Sequence, residues 1–68
     1  MNKKIISRVI EEANYIIDTN KTIREVSIVF GVSKSTVHKD MREKLLLLDS
    51  TLYQKVSSVL EYHTYIKH

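Results

Sequence analysis

The sequence has no cysteine, no proline and only one glycine among its 68 residues. Without cysteine, the chain can form neither a disulfide framework nor a thiolate metal site, so packing alone must stabilise its small core. Without proline, no residue interrupts a helix from inside, and the lone glycine marks the place where the backbone can turn sharply. These absences favour a small helical domain with one special turn.

Long apolar segments are also missing. The longest apolar run is Leu45–Leu48, which is far shorter than the roughly 20 residues of a membrane-spanning helix. The N-terminal MNKKIISRVIEEA has only short apolar stretches between charges, unlike a secretory signal peptide. We therefore expect a soluble cytoplasmic protein.

Basic residues are concentrated in the middle of the chain. Between Lys21 and Lys44 there are six basic and three acidic residues, whereas the rest of the chain has five of each. The whole formal net charge of +3 therefore falls within this stretch. A local positive field favours a polyanionic partner such as nucleic acid.

Apolar residues recur every three or four positions along the chain, which predicts an all-α fold. We expect one domain over residues 1–68, a small four-helix domain with helices at about 3–18, 22–30, 33–46 and 50–66. In the first helix, an apolar stripe should face the core, while the face that carries Arg8 and Glu12 should be exposed. The apolar face of the second helix should consist of Ile23, Val26, Val29 and Phe30.

The segment FGVSKSTVHKD, residues 30–40, contains the single glycine. Before it, Thr22 and Glu25 have the spacing of a capping box, which begins a helix. Gly31 suits the left-handed residue that ends that helix, and Ser33 suits the N-cap of the next one. Two helices joined by a tight glycine turn are typical of a helix-turn-helix, here over residues 22–45.

The third predicted helix presents a polar, basic face away from the core. With Val37 placed inward and about 100° per residue, hydroxyl, imidazole and cationic side chains point outward. A major groove admits such a helix and offers base-edge acceptors to lysine and arginine. We therefore predict that double-stranded DNA is the partner, and that the bases are contacted by Lys34, Ser35, His38, Lys39 and Arg42.

A second set of residues is predicted to contact the DNA backbone. Helix N-termini provide free N–H groups and a positive dipole end, which suit phosphates. Phosphate contacts position a protein on the duplex, whereas base contacts specify the sequence. The predicted phosphate contacts are Lys21, Thr22, Arg24, Ser33, Thr36 and Lys44.

The segment FGVSKSTVHKD, together with the sequence LEYH at residues 60–63, resembles the stage III sporulation protein D family, and the similarity extends over essentially the whole chain. The resemblance implies a nucleoid-associated helix-turn-helix transcription factor of endospore-forming bacteria, which activates some mother-cell promoters and represses others. It implies that DNA is bound by a monomer, with C-terminal contacts outside the major groove, although the family's basic extension is absent after His68. It also implies base contacts by Lys34, Ser35 and Lys39, and phosphate contacts by Ser33, Thr36 and His38.

Two other kinds of protein remain open on the residues. One is a helical protein-interaction module that uses Leu45–Leu48 and the fourth helix, with RNA polymerase or a second copy as the partner. The other is the DNA-reading domain of a recombinase or sigma-like protein.

No pattern in the sequence predicts an enzyme or a cofactor. Serine, histidine and aspartate occur on helices, without a glycine-rich loop or paired catalytic carboxylates. His63 and His68 are five positions apart, not the three or four that would bring two ligands to one helix face. We expect His63 to be a packed, hydrogen-bonded residue and the protein to bind no metal.

Overall fold

The computed structural model describes the backbone of residues 2–66 and the side chains of residues 2–62. Four helices follow one another: α1 (Lys3–Thr19), α2 (Ile23–Phe30), α3 (residues 34–48) and α4 (Ser50–Ile66). The described residues form no strand. The all-α, four-helix prediction is confirmed, and the predicted boundaries differ from the observed ones by two residues at most.

The third helix is longer and less regular than predicted. It is α-helical over Lys34–Lys39, π-helical over Asp40–Lys44 and α-helical again over Leu45–Leu48. In the π segment the Leu45 N–H donates to the Asp40 carbonyl, five residues earlier. The backbone stays in the right-handed helical region at both junctions, so α3 is one continuous rod with a widened turn in its middle.

A side-chain cap begins each helix. The side-chain oxygens of Asn2, Thr22, Ser33 and Asp49 each accept a hydrogen bond from the backbone N–H three residues on, at 2.9–3.2 Å. Each cap satisfies a donor that has no partner inside its own helix. The capping box and the Ser33 cap expected from the sequence are confirmed.

The core lies where the four helices meet. Among residues 2–62 it contains eight buried apolar residues: Val9, Ala13, Ile16, Val26, Val37, Met41, Leu45 and Val56. Burying one aliphatic side chain of this size contributes about 1.5–3 kcal/mol. Since every helix supplies at least one of these residues, no helix can leave the bundle without exposing part of the core.

Two predictions about helix faces are wrong. Val29 is 57% exposed and Ile28 is 73% exposed. The short helix α2 packs inward through Val26, Ser27 and Phe30, which leaves these two residues on its outer side. On α1, Glu12 is fully buried and Arg8 is half-buried, although both were expected on the exposed face. Both side chains lie beside Asp40 of α3, with which Arg8 forms an ion pair.

No helix within residues 2–66 combines the length and the apolar character needed to cross a bilayer.

Candidate nucleic-acid interface

The turn between α2 and α3 fixes the direction in which α3 faces. Gly31 has a φ of 67° and ends α2 in the left-handed conformation. The Val32 N–H then donates to the Ser27 carbonyl at 3.1 Å. Beyond the turn Val37 is fully buried, as predicted, and one face of α3 is thereby held against the core.

The opposite face of α3 is exposed and polar. Lys34, Ser35, His38 and Lys39 are all exposed, and together with Ile23 from the start of α2 they line an open groove. We call these four α3 residues the reader face. Four of the five predicted base-contacting residues thus lie around one depression, while Arg42 is exposed on the π segment beyond it.

Ile23 is the one residue of this groove that is not predicted from the sequence to contact DNA. It was assigned to the apolar face of α2, and the structure shows it half-buried, at once packed against the core and forming a wall of the groove. The sequence did indicate that Ile23 lies near the predicted DNA contacts, because it directly follows the Thr22 cap as the first residue of α2.

The cations near the reader face are not neutralised by any acid among the described residues. Within the described residues, Arg24, Lys34, Lys39 and Arg42 form no ion pair. Of the two acids between residues 34 and 44, Glu43 is exposed and Asp40 is buried. The outward surface therefore has an excess of positive charge available to an anionic ligand.

The predicted phosphate-contacting residues are mostly engaged in local interactions. The Thr22 hydroxyl donates to the Glu25 carboxylate at 3.1 Å, and the Ser33 and Thr36 hydroxyls are hydrogen-bonded at 2.9 Å. The hydrogen bond from the Thr22 backbone N–H lowers the pKa of Glu25. Lys21 pairs with Glu25 at 3.4 Å, with both side chains about half exposed, and such a pair is weak enough to exchange for a phosphate.

A buried ionic cluster lies on the other side of α3. We call it the Asp40 cluster: Arg8 and Glu12 from α1, and Asp40 and Lys44 from α3. The guanidinium of Arg8 donates two hydrogen bonds to the Asp40 carboxylate, from Nε at 3.1 Å and from Nη2 at 3.2 Å. Lys44 Nζ lies 3.1 Å from Asp40 Oδ1. Both acids are fully buried, so the cluster joins α1 to the π segment inside the protein.

The two buried acids are shifted in opposite directions. Burial raises the pKa of Glu12 from 4.5 to about 8, and the neighbouring Asp40 carboxylate raises it further. Burial alone would also raise the pKa of Asp40, but Glu12, Arg8 and Lys44 around its carboxylate lower it. Neither Glu12 oxygen has a hydrogen-bond partner among the described residues, and Arg8 Nε is 3.8 Å away. Glu12 is therefore held as the neutral acid, which can donate to the ionised Asp40.

The sequence contained a signal for this cluster. Asp40 lies between the buried residues Val37 and Met41, so the helical repeat places it on the core side of α3. Arg8 and Glu12 are four positions apart and each precedes a buried residue of α1. An acid on the buried side of one helix requires a basic partner from another.

Within the described side chains no group of histidines and acids is placed to hold a metal ion. The side chains of His63 and His68 lie outside the described residues, so the packing predicted for His63 is not tested.

Comparison with known proteins places the chain among sporulation proteins. A model of the family "Stage III sporulation protein D" matches residues 2–68. The chain is also similar to Stage III sporulation protein D of Bacillus subtilis (strain 168), with 44% identity over 68 residues, which is all of this chain and 73% of that protein. No solved structure gives a significant match.

Proposed function

The chain belongs to the Stage III sporulation protein D family, a family of sporulation regulators and not a class of enzymes, and we propose that it regulates transcription by binding specific sequences in double-stranded DNA. One observation carries this proposal: the reader face presents two lysines, a serine and a histidine around a single open groove. The cations of this surface make no ion pair among the described residues. A continuous helix with such a face fits a major groove.

In the proposed complex, α3 lies in the major groove with its N-terminal half against the bases. Lysine and arginine donate to guanine O6 and N7, and serine and histidine can donate to or accept from base edges. The base contacts proposed are Lys34, Ser35, His38, Lys39 and Arg42. Since the first four surround one groove, they would contact neighbouring base pairs on one side of the helix.

The start of α2 and the turn before α3 would then face the flanking phosphates. The phosphate contacts proposed are Lys21, Thr22, Arg24, Ser33, Thr36 and Lys44. Arg24 is exposed and unpaired among the described residues, so it is the most available of them. Lys44 is the least available, because its ammonium already lies 3.1 Å from the buried Asp40 carboxylate. Backbone contacts of this kind set the register of the reader face without selecting a sequence.

We further propose that the protein acts as a monomeric, nucleoid-associated cytoplasmic factor, activating some sporulation promoters of the mother cell and repressing others. The helix-turn-helix over residues 22–45 would make the contacts in the major groove.

A second candidate function is supported by the leucine run. Leu45 is buried and Leu48 is half-buried, but Leu46 is 48% exposed and Leu47 is 80% exposed. Two adjacent exposed leucines on the surface of α3 favour a protein contact, with RNA polymerase as the candidate partner of a DNA-bound regulator. Leu47→Ser should leave DNA binding unchanged while reducing transcription in vitro from a bound promoter. Unchanged transcription would remove this candidate.

The DNA-binding proposal is tested by selecting duplexes from a random pool with the full chain and measuring affinity by fluorescence anisotropy. The variant with Lys34→Ala and Lys39→Ala should lose binding to the selected duplex. The matched control carries Lys4→Ala and Lys55→Ala, which remove the same amount of charge from two exposed lysines on α1 and α4 that are not part of the reader face. Failure of the unmodified protein to enrich or bind any duplex at low salt would refute the proposal.

A further inference from the structure

Burying the charges of the Asp40 cluster costs free energy in a domain whose core is small. Two acids with 0% relative exposure have lost their hydration, and for a buried ion pair that loss can exceed the attraction between the charges. Apolar side chains of similar size often stabilise a core as well as a buried ion pair does. The stability of the core therefore does not by itself explain why this cluster is present.

The contact between Arg8 and Asp40 fixes an angle as well as a distance. The guanidinium is planar, and its two hydrogen bonds of 3.1 and 3.2 Å reach both oxygens of the carboxylate. We call this two-point contact the fork. It restricts rotation of the Asp40 carboxylate about its side-chain bonds, whereas a single contact from a lysine would not restrict it. The two residues are 32 positions apart, so the fork sets the rotation of α3 about its axis relative to α1.

The fork lies next to the reader face, where a rotation of α3 would displace the side chains that are proposed to contact bases. Asp40 follows directly after Lys39, the last residue of the reader face, and is the first residue of the π segment. Lys44, the last residue of that segment, pairs with the same carboxylate at 3.1 Å. The Asp40–Lys44 ion pair thus spans the widened turn. This turn sets the direction in which Arg42 points around the helix axis, relative to Lys34 and Lys39.

We propose that Asp40, held by Arg8, is a positioning residue for sequence recognition: the fork orients the reader face so that its side chains meet their bases together. This inference rests on the proposed DNA-binding function. It assigns to α1 a role in specificity, although neither Arg8 nor Asp40 belongs to the reader face. Loss of the fork should impair the choice of sequence and leave the attraction to phosphates unchanged.

The test compares Arg8→Met and Arg8→Lys with the unmodified protein. Arg8 is partly exposed, with 29% of its side chain accessible, so these variants disturb the core less than a change at Asp40. Lys4→Met is the matched control, because it removes the same charge from an exposed position one turn earlier on α1. Affinity is measured for the selected duplex and for a scrambled one, at a temperature where circular dichroism shows every variant to be folded.

Arg8→Met should weaken binding to the selected duplex by about 10-fold, the value of one lost base contact, relative to Lys4→Met. Binding to the scrambled duplex should match the control. Arg8→Lys should show a smaller loss of discrimination, since it keeps the charge and loses one arm of the fork. A purely structural role would instead lower both affinities in proportion, through the folded fraction.

The inference is overturned if Arg8→Met discriminates between the two duplexes as well as Lys4→Met does, or if it loses both affinities equally. If the unmodified protein binds neither duplex, it is the proposed function that fails. The two failures are therefore distinguishable within one experiment.

Discussion

Glu12 provides a test of the packing between α1 and α3 that does not depend on any ligand. Its carboxyl group is fully buried beside Asp40, and its oxygens accept no hydrogen bond. The change Glu12→Gln replaces the neutral acid with an amide of nearly the same shape, which can also donate to Asp40. The variant should therefore fold normally and differ from the unmodified protein only where Glu12 would ionise.

The size and sign of the effect follow from the pKa. Glu12 has a pKa of 4.5 when unfolded and about 8 when folded, so between these values the folded state binds the extra proton. Its stabilising contribution is complete below the lower value and is lost as the pH rises through the higher one. The free energy of unfolding should fall by about 1.4 kcal/mol per pH unit across this window. The pKa of Asp40 is lowered from 3.8, so its contribution is lost only in more acidic solution.

Urea unfolding, followed by far-ultraviolet circular dichroism, should be measured for both proteins at several pH values between about 5 and about 8. Between about pH 5 and about pH 7.5, the free energy of unfolding of the unmodified protein should fall by about 2–3 kcal/mol more than that of Glu12→Gln. That is a large share of the stability of so small a domain. Titrations elsewhere in the chain are common to both proteins and cancel in the comparison. Parallel pH profiles would refute the assignment of Glu12 as a buried neutral acid.

DNA affinity should fall steeply with salt, with a log–log slope of about −4 to −5 for roughly four to six phosphate contacts, measured by fluorescence anisotropy. A slope near zero would exclude binding through phosphates. Lys39→Ala should weaken binding to a selected duplex by ~1–3 kcal/mol and relax its sequence preference, whereas equal losses on selected and scrambled duplexes would make Lys39 a phosphate contact. Gly31→Val should lower the free energy of unfolding by about 1–3 kcal/mol through backbone strain alone, because φ is 67° and an added Cβ would meet no atom within 4 Å. Gly31→Asn, which tolerates the left-handed region, is its control, and equal melting temperatures for the two variants would contradict the reasoning.

The reader face could be predicted because its members share one helix. Once Val37 is placed in the core, the helical repeat alone directs Ser35 and Lys39 outward, with His38 beside them and Lys34 on the flank. The structure shows all four exposed around one groove. Ile23 could not be added by the same reasoning. Its place at the groove depends on how α2 crosses α3, and the helical repeat within either helix does not determine that crossing.

Val29 shows how a local pattern can fail. The apolar spacing of α2 suggested a wider buried face than this short helix can use, and Val29 is left 57% exposed. Hydrophobic periodicity shows which residues could share a face, but burial also requires a neighbour on that side.

The sequence by itself determined the helices, their caps and the turn at Gly31. Each of these depends on interactions within four or five residues, such as the Thr22–Glu25 capping box and the Asp49 cap. Only the tertiary structure decided that α1 contacts α3 through Arg8 and Asp40, which are 32 positions apart. It also decided that Glu12 is buried next to them. The physical reason is that buried charges must find partners, and which partner is within reach depends on the rotation of whole helices against one another.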